Sequence, residues 1–306
     1  MHTIEPHSSF GAARLPRGVE AVGITVQPGL LTALHAPANG PARGTVLVVP
    51  GFTGSKEDFT TFLPLLAERG WDAWAYSQRG QADSAAPAGL HNYELGALAA
   101  DAVELADLLR RASVDGAPVH LVGHSLGGIV ATAAAIDSPF SFASLTVLCS
   151  GPHGWPGRHQ DTIDTVTFSG SIGLWNRDNP HTIGLPDSEL SEQEAFIRLR
   201  AAHTSSENLL AGALLLQHHE DRVDELAATG LAVLIAHGEF DDKWPISDQR
   251  DMAERLGAQY SVISGGFHSP QLEAPVATAV ALDSFWAGVP EAGRNRPADQ
   301  TLTGRP

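Results

Sequence analysis

The chain has 306 residues, 43% of them hydrophobic, and carries 35 acidic against 19 basic side chains, for a formal net charge of −16. That is enough apolar sequence to bury a sizeable core in about one large domain or two small ones. The acidic balance speaks against a nucleic-acid or anionic-membrane surface, where Lys and Arg must neutralise phosphates.

Residues 1–18 contain no apolar run long enough for a signal peptide, and no later stretch approaches the roughly 18 apolar residues of a membrane helix, so a cytoplasmic protein with an N-terminal extension over 1–18 is expected. Apolar runs follow at 19–26, 30–35 and 45–49, separated by Pro-Gly and Asn-Gly-Pro turns. Helical and strand patterns then alternate: helix 57–69, strand 71–76, helix 93–111, strand 119–122, helix 127–136, strand 142–149. From 153 to 228 no buried-type strand appears. Instead there is a loop with Gly and Pro, then helices opened by Ser191-Glu192-Gln193-Glu194, which has capping-box spacing, and by Ser205-Ser206-Glu207-Asn208.

The strand pattern resumes at 231–236 and 260–264, followed by helical patterns at 247–256 and 271–287. Residues 288–306 mix Gly, Pro, Arg and Asp without periodicity and are expected to form a disordered tail. No internal repeat or linker is visible. Continuous apolar strands spaced by helices predict an α/β fold, with a mostly parallel eight-stranded sheet covered on both faces. Its core spans 19–152 and 229–287, interrupted by a helical insertion over 153–228. The single cysteine, Cys149, cannot form an internal disulfide and is expected to be a small buried hydrophobe.

In an open α/β sheet, ligands bind outside the carboxyl ends of the strands. The residues just after each predicted strand are therefore the informative ones. They are Pro50-Gly51-Phe52-Thr53-Gly54, then Gly123-His124-Ser125-Leu126-Gly127, then His237-Gly238-Glu239-Phe240-Asp241-Asp242, and Gly265-Gly266-Phe267-His268. A serine between two glycines, where a strand turns into an alanine-rich helix, has the form of a nucleophile elbow. An oxyanion-type loop, a serine, an acid and a histidine thus appear in the order Ser, Asp, His.

This set resembles the α/β-hydrolase fold family, over residues 19–287. The family's Gly-x-x-Asp-x-x-x-Pro stretch is matched by Gly238, Asp241 and Pro245, which favours Asp241 over Asp242 as the acid. Its His-x-x-x-x-Glu-x-Pro stretch is matched by His268, Glu273 and Pro275. The segment from Ser77 to Ser84 is similar to the family's Asp-x-Arg-Gly-x-Gly-x-Ser loop, from which Ser77 and Ala82 depart. The resemblance implies a triad of Ser125, Asp241 and His268, and an oxyanion hole of the Phe52 and Leu126 backbone N–H groups. A serine at the elbow, where dehalogenases and epoxide hydrolases of this fold carry aspartate, implies an acyl enzyme.

The apolar stretch 209–216, with Phe168, Ile172, Leu174 and Trp175 upstream, is expected to dock the insertion on the core; because cap segments of this family wall the substrate pocket, Leu174, Trp175, Leu210 and Leu214 are also candidates to line an apolar pocket over Ser125. His124 and His237 read as structural. His218-His219-Glu220-Asp221 suggests a metal site on composition only, because neighbours on a helix point about 100° apart. No cofactor and no metal are expected. The expected activity is hydrolysis of an ester, or a related acyl bond, of a small to medium apolar-leaning substrate. The alternatives are carbon–carbon bond hydrolysis of a diketone-like substrate and a non-catalytic binding protein on the same scaffold.

Overall fold

The computed structural model describes residues 3–289 apart from 13, 28, 114–115 and 117–118; the expected tail lies outside the described residues from 290 onward. The N-terminal part contains β1 (Ile4–Pro6), β2 (Glu20–Val26), β3 (Gly29–Ala36) and β4 (Gly44–Val49), then α1 (Leu63–Ala67), β5 (Trp71–Tyr76) and α2 (Leu95–Ala112). It continues through β6 (Val119–His124), α3 (Leu126–Asp137) and β7 (Phe142–Leu148). The insertion supplies α4 (Gln160–Asp178), α5 (Glu192–His203), α6 (Ser206–His218) and α7 (Val223–Ala228). The chain then closes with β8 (Ala232–Gly238), α8 (Ile246–Leu256), β9 (Gln259–Ile263), α9 (Pro270–Glu273) and α10 (Pro275–Ala287).

The strands form one sheet in the order β1-β2-β3-β5-β4-β6-β7-β8-β9. Pairings from β1 to β5 across β2 and β3 are antiparallel, and the remainder are parallel. Eight of these strands occupy the predicted runs. The ninth, β1, comes from the segment expected to be a mere extension; it pairs Ile4 with Ile24 at the sheet edge. The predicted helix over 57–69 is a 3-10 turn, Lys56–Phe59, followed by the short α1, which Pro64 opens near its first turn.

Each sheet face carries its own core. On one face Leu98, Leu105, Val130, Leu226 and Met252 from α2, α3, α7 and α8 pack on Leu47, Leu121, Leu145 and Ile235. On the other, Leu63, Leu66, Leu282 and Trp286 from α1 and α10 pack on Val46, Val48, Ala75 and Val122. At about 1.5–3 kcal/mol for each large aliphatic or aromatic side chain withdrawn from water, these layers hold the strand ends rigid. Strand β4 has β5 on one side and β6 on the other, so the sheet reverses direction there, and the loops after β4 and β6 lie side by side at the carboxyl edge.

Above that edge, α5 and α6 are opened by the two predicted caps. Ser191 Oγ accepts the Glu194 N–H at 3.2 Å, and Ser205 Oγ accepts that of Asn208 at 3.4 Å. The insertion is tied down by backbone and amide bonds: Ser205 N–H to Gly80 O (2.8 Å) and Asn208 Nδ2 to Arg79 O (2.9 Å). Its last helix, α7, behaves differently from the others, burying Val223 and Leu226 in the core beneath the sheet.

Candidate active site

Ser125 joins β6 to α3 with φ 54° and ψ −122°, a left-handed conformation that costs a non-glycine residue on the order of 1–3 kcal/mol. The flanking glycines make so sharp a corner possible. A Cβ on Gly123 would lie 2.2 Å from the Gly127 carbonyl, and one on Gly127 would lie 2.3 Å from that of Val49. The Ser125 N–H continues the ladder beyond β6 by donating to Leu148 O at 2.9 Å. The corner therefore presents the hydroxyl at the carboxyl edge.

Two other loops bring their side chains to it. His268 Nε2 lies 3.0 Å from Ser125 Oγ, and His268 Nδ1 lies 2.9 Å from Asp241 Oδ1. Asp241 is further held by the backbone N–H groups of Lys243 (3.0 Å) and Trp244 (3.3 Å) and by the Gln249 amide (3.0 Å). Burial acts to raise the Asp241 pKa, but the bond to His268, its charge, and the Lys243 and Gln249 donors outweigh it, so the carboxyl sits below its ordinary value. Asp242 points elsewhere, exposed and paired with Lys243 Nζ at 2.8 Å. Glu273, the acid of the histidine motif, accepts the N–H groups of Phe267 (2.6 Å) and Ser269 (3.2 Å), clamping the backbone on both sides of His268.

His124 has a definite task. Its Nε2 is 2.7 Å from the His268 carbonyl, and a carbonyl can only accept, so Nε2 carries the proton and donates. Burial, then the proximity of His268, lowers its pKa to about 4, keeping it neutral. Cys149 is buried, as expected, with Sγ 3.7 Å from Phe267 O and a ligand-atom distance within 4.8 Å of both Asp241 and His268. Burial and the Asp241 charge raise its pKa well above the ordinary value, so it is a thiol rather than a thiolate.

The side chains of the two expected oxyanion residues, Phe52 and Leu126, meet at Gly212. Leu126 is the first residue of α3, where an N–H has no acceptor within its own helix. Phe52 lies in the turn closed by the Gly54 N–H on Gly51 O (3.2 Å). A Cβ on Gly51 would sit 3.1 Å from Ser125 Cβ, and one on Gly212 of α6 would sit within 2.9 Å of the Phe52 ring and 3.1 Å of the Leu126 side chain. The loop after β5 braces this turn: Gln78 Nε2 donates to Pro50 O and Gln81 Nε2 to Gly51 O, each at 2.9 Å. The two departures from the family pattern have local roles, since Ser77 Oγ accepts the Lys56 N–H at 3.1 Å and Ala82 adopts φ 47°.

The cavity holding Ser125 has a volume of about 420 Å³ and is walled by Phe52, His124 and His268 from the core, and by Gln193, Phe196, Ile197 and Arg200 from α5. None of the four residues expected to wall it does so. Leu174 and Trp175 line an adjoining cavity of about 350 Å³, which shares Thr53, Ile197 and Arg200 with the first. Leu210 packs with Phe52 on the Val166, Leu174 and Leu209 cluster, and Leu214 lines neither cavity. The reason is geometric: the apolar stretch of α6 is consumed in sealing that helix onto α4 and the core, which leaves α5, whose helix is far more polar, to face the serine. Farther off, Asp221 pairs with Arg255 at 2.6 Å and accepts the Val223 N–H at 3.0 Å, so it serves the α7 terminus.

A family model described as alpha/beta hydrolase fold matches residues 44–178. Among curated proteins, the carbamate hydrolase RutD of Variovorax paradoxus is 38% identical over 117 residues, 38% of this chain and 41% of that protein. The chain therefore matches about two fifths of that relative's length. Solved structures are similar over nearly the whole chain. An esterase from Thermogutta terrifontis is 22% identical with a TM-score of 0.69, covering 88% of this chain and 98% of its own. The enol-lactonase of Burkholderia xenovorans is 18% identical with a TM-score of 0.71, covering 87% and 99%. No helix among the described residues is long and apolar enough to cross a membrane. With its strand order, its serine corner and these likenesses, the chain has the α/β-hydrolase fold.

Proposed function

We propose that the chain is a serine hydrolase that cleaves an ester or a closely related acyl bond through a covalent Ser125 acyl enzyme. The observation that carries this reading is the unbroken hydrogen-bond chain from Ser125 Oγ through His268 to Asp241, opening on a cavity. Ser125 Oγ attacks the acyl carbon while His268 Nε2 takes its proton. Asp241 holds the imidazole by Nδ1 and balances the imidazolium. Its lowered pKa suits that task, because the carboxylate stays charged wherever the histidine is. The Leu126 and Phe52 N–H groups receive the oxyanion, a role in which one donor is worth roughly 3–4 kcal/mol of transition-state stabilisation. His268 then protonates the leaving group, and water repeats the sequence to release the acid.

Residues 153–228 act as a cap in this reading, with α5 forming the wall opposite the serine and α7 anchoring the cap to the core. A cavity of about 420 Å³ suits a small to medium substrate. A carbamate, an ester and an enol lactone, the bonds in the names of the three relatives, share an acyl carbon attached to a heteroatom. The test is a turnover assay with p-nitrophenyl butyrate. Hydrolysis by the wild type that disappears in Ser125→Ala supports the reading; orders-of-magnitude preference for a vinylogous diketone would reassign the reaction to carbon–carbon cleavage, and no turnover of either would point to a binding protein.

A further inference from the structure

The geometry points to Arg200 as the dock for an anionic group on the substrate, a carboxylate carried a few atoms away from the acyl carbon that Ser125 attacks. The inference rests on the Ser125 reading for its catalytic half and on Arg200 alone for its binding half. Arg200 comes from α5 and is only 9% exposed, yet it lines both the cavity over Ser125 and the adjoining one behind Thr53 and Ile197. It is the one Lys or Arg in either lining among the described residues. A guanidinium has five N–H donors in a rigid fork. Its hydrogen bonds among the described residues leave from Nη1, to Asp58 Oδ1 at 2.6 Å and to Ser55 Oγ at 3.3 Å. Nε–H and the two Nη2 hydrogens are thereby left for a ligand, on a charged group where an unmet donor is costly.

The acids beside it are already engaged. Asp58 Oδ2 accepts the Ser55 N–H at 3.2 Å, while Glu57 takes the buried Lys56 Nζ at 2.8 Å and the Ser55 hydroxyl at 2.7 Å. Lys56 Nζ is shared with Asp83 at 2.5 Å. Asp58 therefore fixes one edge of the fork and leaves the other edge, Nε with Nη2, in the bidentate arrangement that a carboxylate matches. The Phe196 ring, one helical turn earlier on α5, lies 5.8 Å from the guanidinium carbon. An apolar substrate alone would leave that edge dry and unpaired; a carboxylate satisfies it.

The test uses two readouts on the full chain. In the first, kcat/KM is compared for the mono-p-nitrophenyl ester of glutarate and for p-nitrophenyl pentanoate. The wild type is expected to favour the carboxylate ester by about tenfold or more, and Arg200→Gln to reduce that ratio by about tenfold or more, the scale of lost hydrogen bonds to a charged group. Arg200→Lys, which keeps the charge but not the fork, is expected to fall between them. In the second, calorimetry follows free glutarate binding to Ser125→Ala, expected to weaken by about tenfold or more when Arg200→Gln is added. A wild-type preference for the neutral ester, a ratio unmoved by Arg200→Gln, or glutarate binding indifferent to Arg200 would overturn the inference. If neither ester turns over and yet glutarate binding depends on Arg200, the hydrolase reading fails while the anion dock stands.

Discussion

On the sheet side of the cavity, Ser125, Asp241 and His268 sit at three strand ends that parallel pairing and two buried cores hold in register. On the insertion side, Gln193, Phe196, Ile197 and Arg200 project from one helix that reaches the core loop through Arg200 and Asp58. The first wall is positioned by backbone ladders and the second by side-chain contacts. In the proposed reaction, the chemistry that needs atoms fixed within a fraction of an ångström is assigned to the former and selection among substrates to the latter, where one side chain can be exchanged without moving a strand.

The sharpest way to break this division is at the acid. We expect Asp241→Asn to lower kcat between about 10² and 10⁴-fold, and Asp242→Asn to change it by less than about twofold; comparable losses in steady-state assays would show that the two loops' roles are not separable as described. Next in size is the elbow. Gly123→Ala forces a Cβ into the Gly127 carbonyl, and urea unfolding should report a loss of about 3 kcal/mol, the upper end of the usual overpacking cost; unchanged stability would mean that the corner tolerates more room than the packing allows.

His124 offers a comparable test by pH. Its pKa falls from 6.5 to about 4 on folding. Between those values the unfolded chain binds a proton that the folded chain refuses, so stability drops as pH falls through that window, by about 3 kcal/mol when complete. The slope of stability against pH should be shallower in His124→Asn, though not flat, because burial also holds His219 at about 4. Identical slopes would remove His124 from the account of how His268 is held. The smallest effects are expected on the cap. Ile197→Ala should raise KM severalfold, while Leu214→Ala, which lines neither cavity, should leave it within about twofold; the reverse order would return α6 to the pocket wall.

This division also explains what could be read in the chain. The positions after the predicted strands isolate Ser125, Asp241 and His268 because strands are continuous apolar runs and their ends are marked by Gly-rich turns. The motif acid Glu273 is legible for the same reason, its spacing from His268 being set by a local backbone clamp. The cap wall is not legible in this way. Arg200 and Asp58 meet across 142 positions, and the most apolar stretch of the insertion, which invites assignment to the pocket, is the stretch used to seal α6 onto its neighbours. The edge strand β1 escapes notice because a three-residue strand leaves too short a pattern, its Ile4 being only partly buried.

The central claim is that Ser125 is the nucleophile, and covalent trapping tests it most directly. Full-length protein treated with a fluorophosphonate and mapped by peptide mass spectrometry should carry one adduct, on Ser125. That adduct should vanish in Ser125→Ala and form far more slowly in His268→Ala. Absence of labelling in the wild type, or an adduct on another residue that persists in Ser125→Ala, would contradict it.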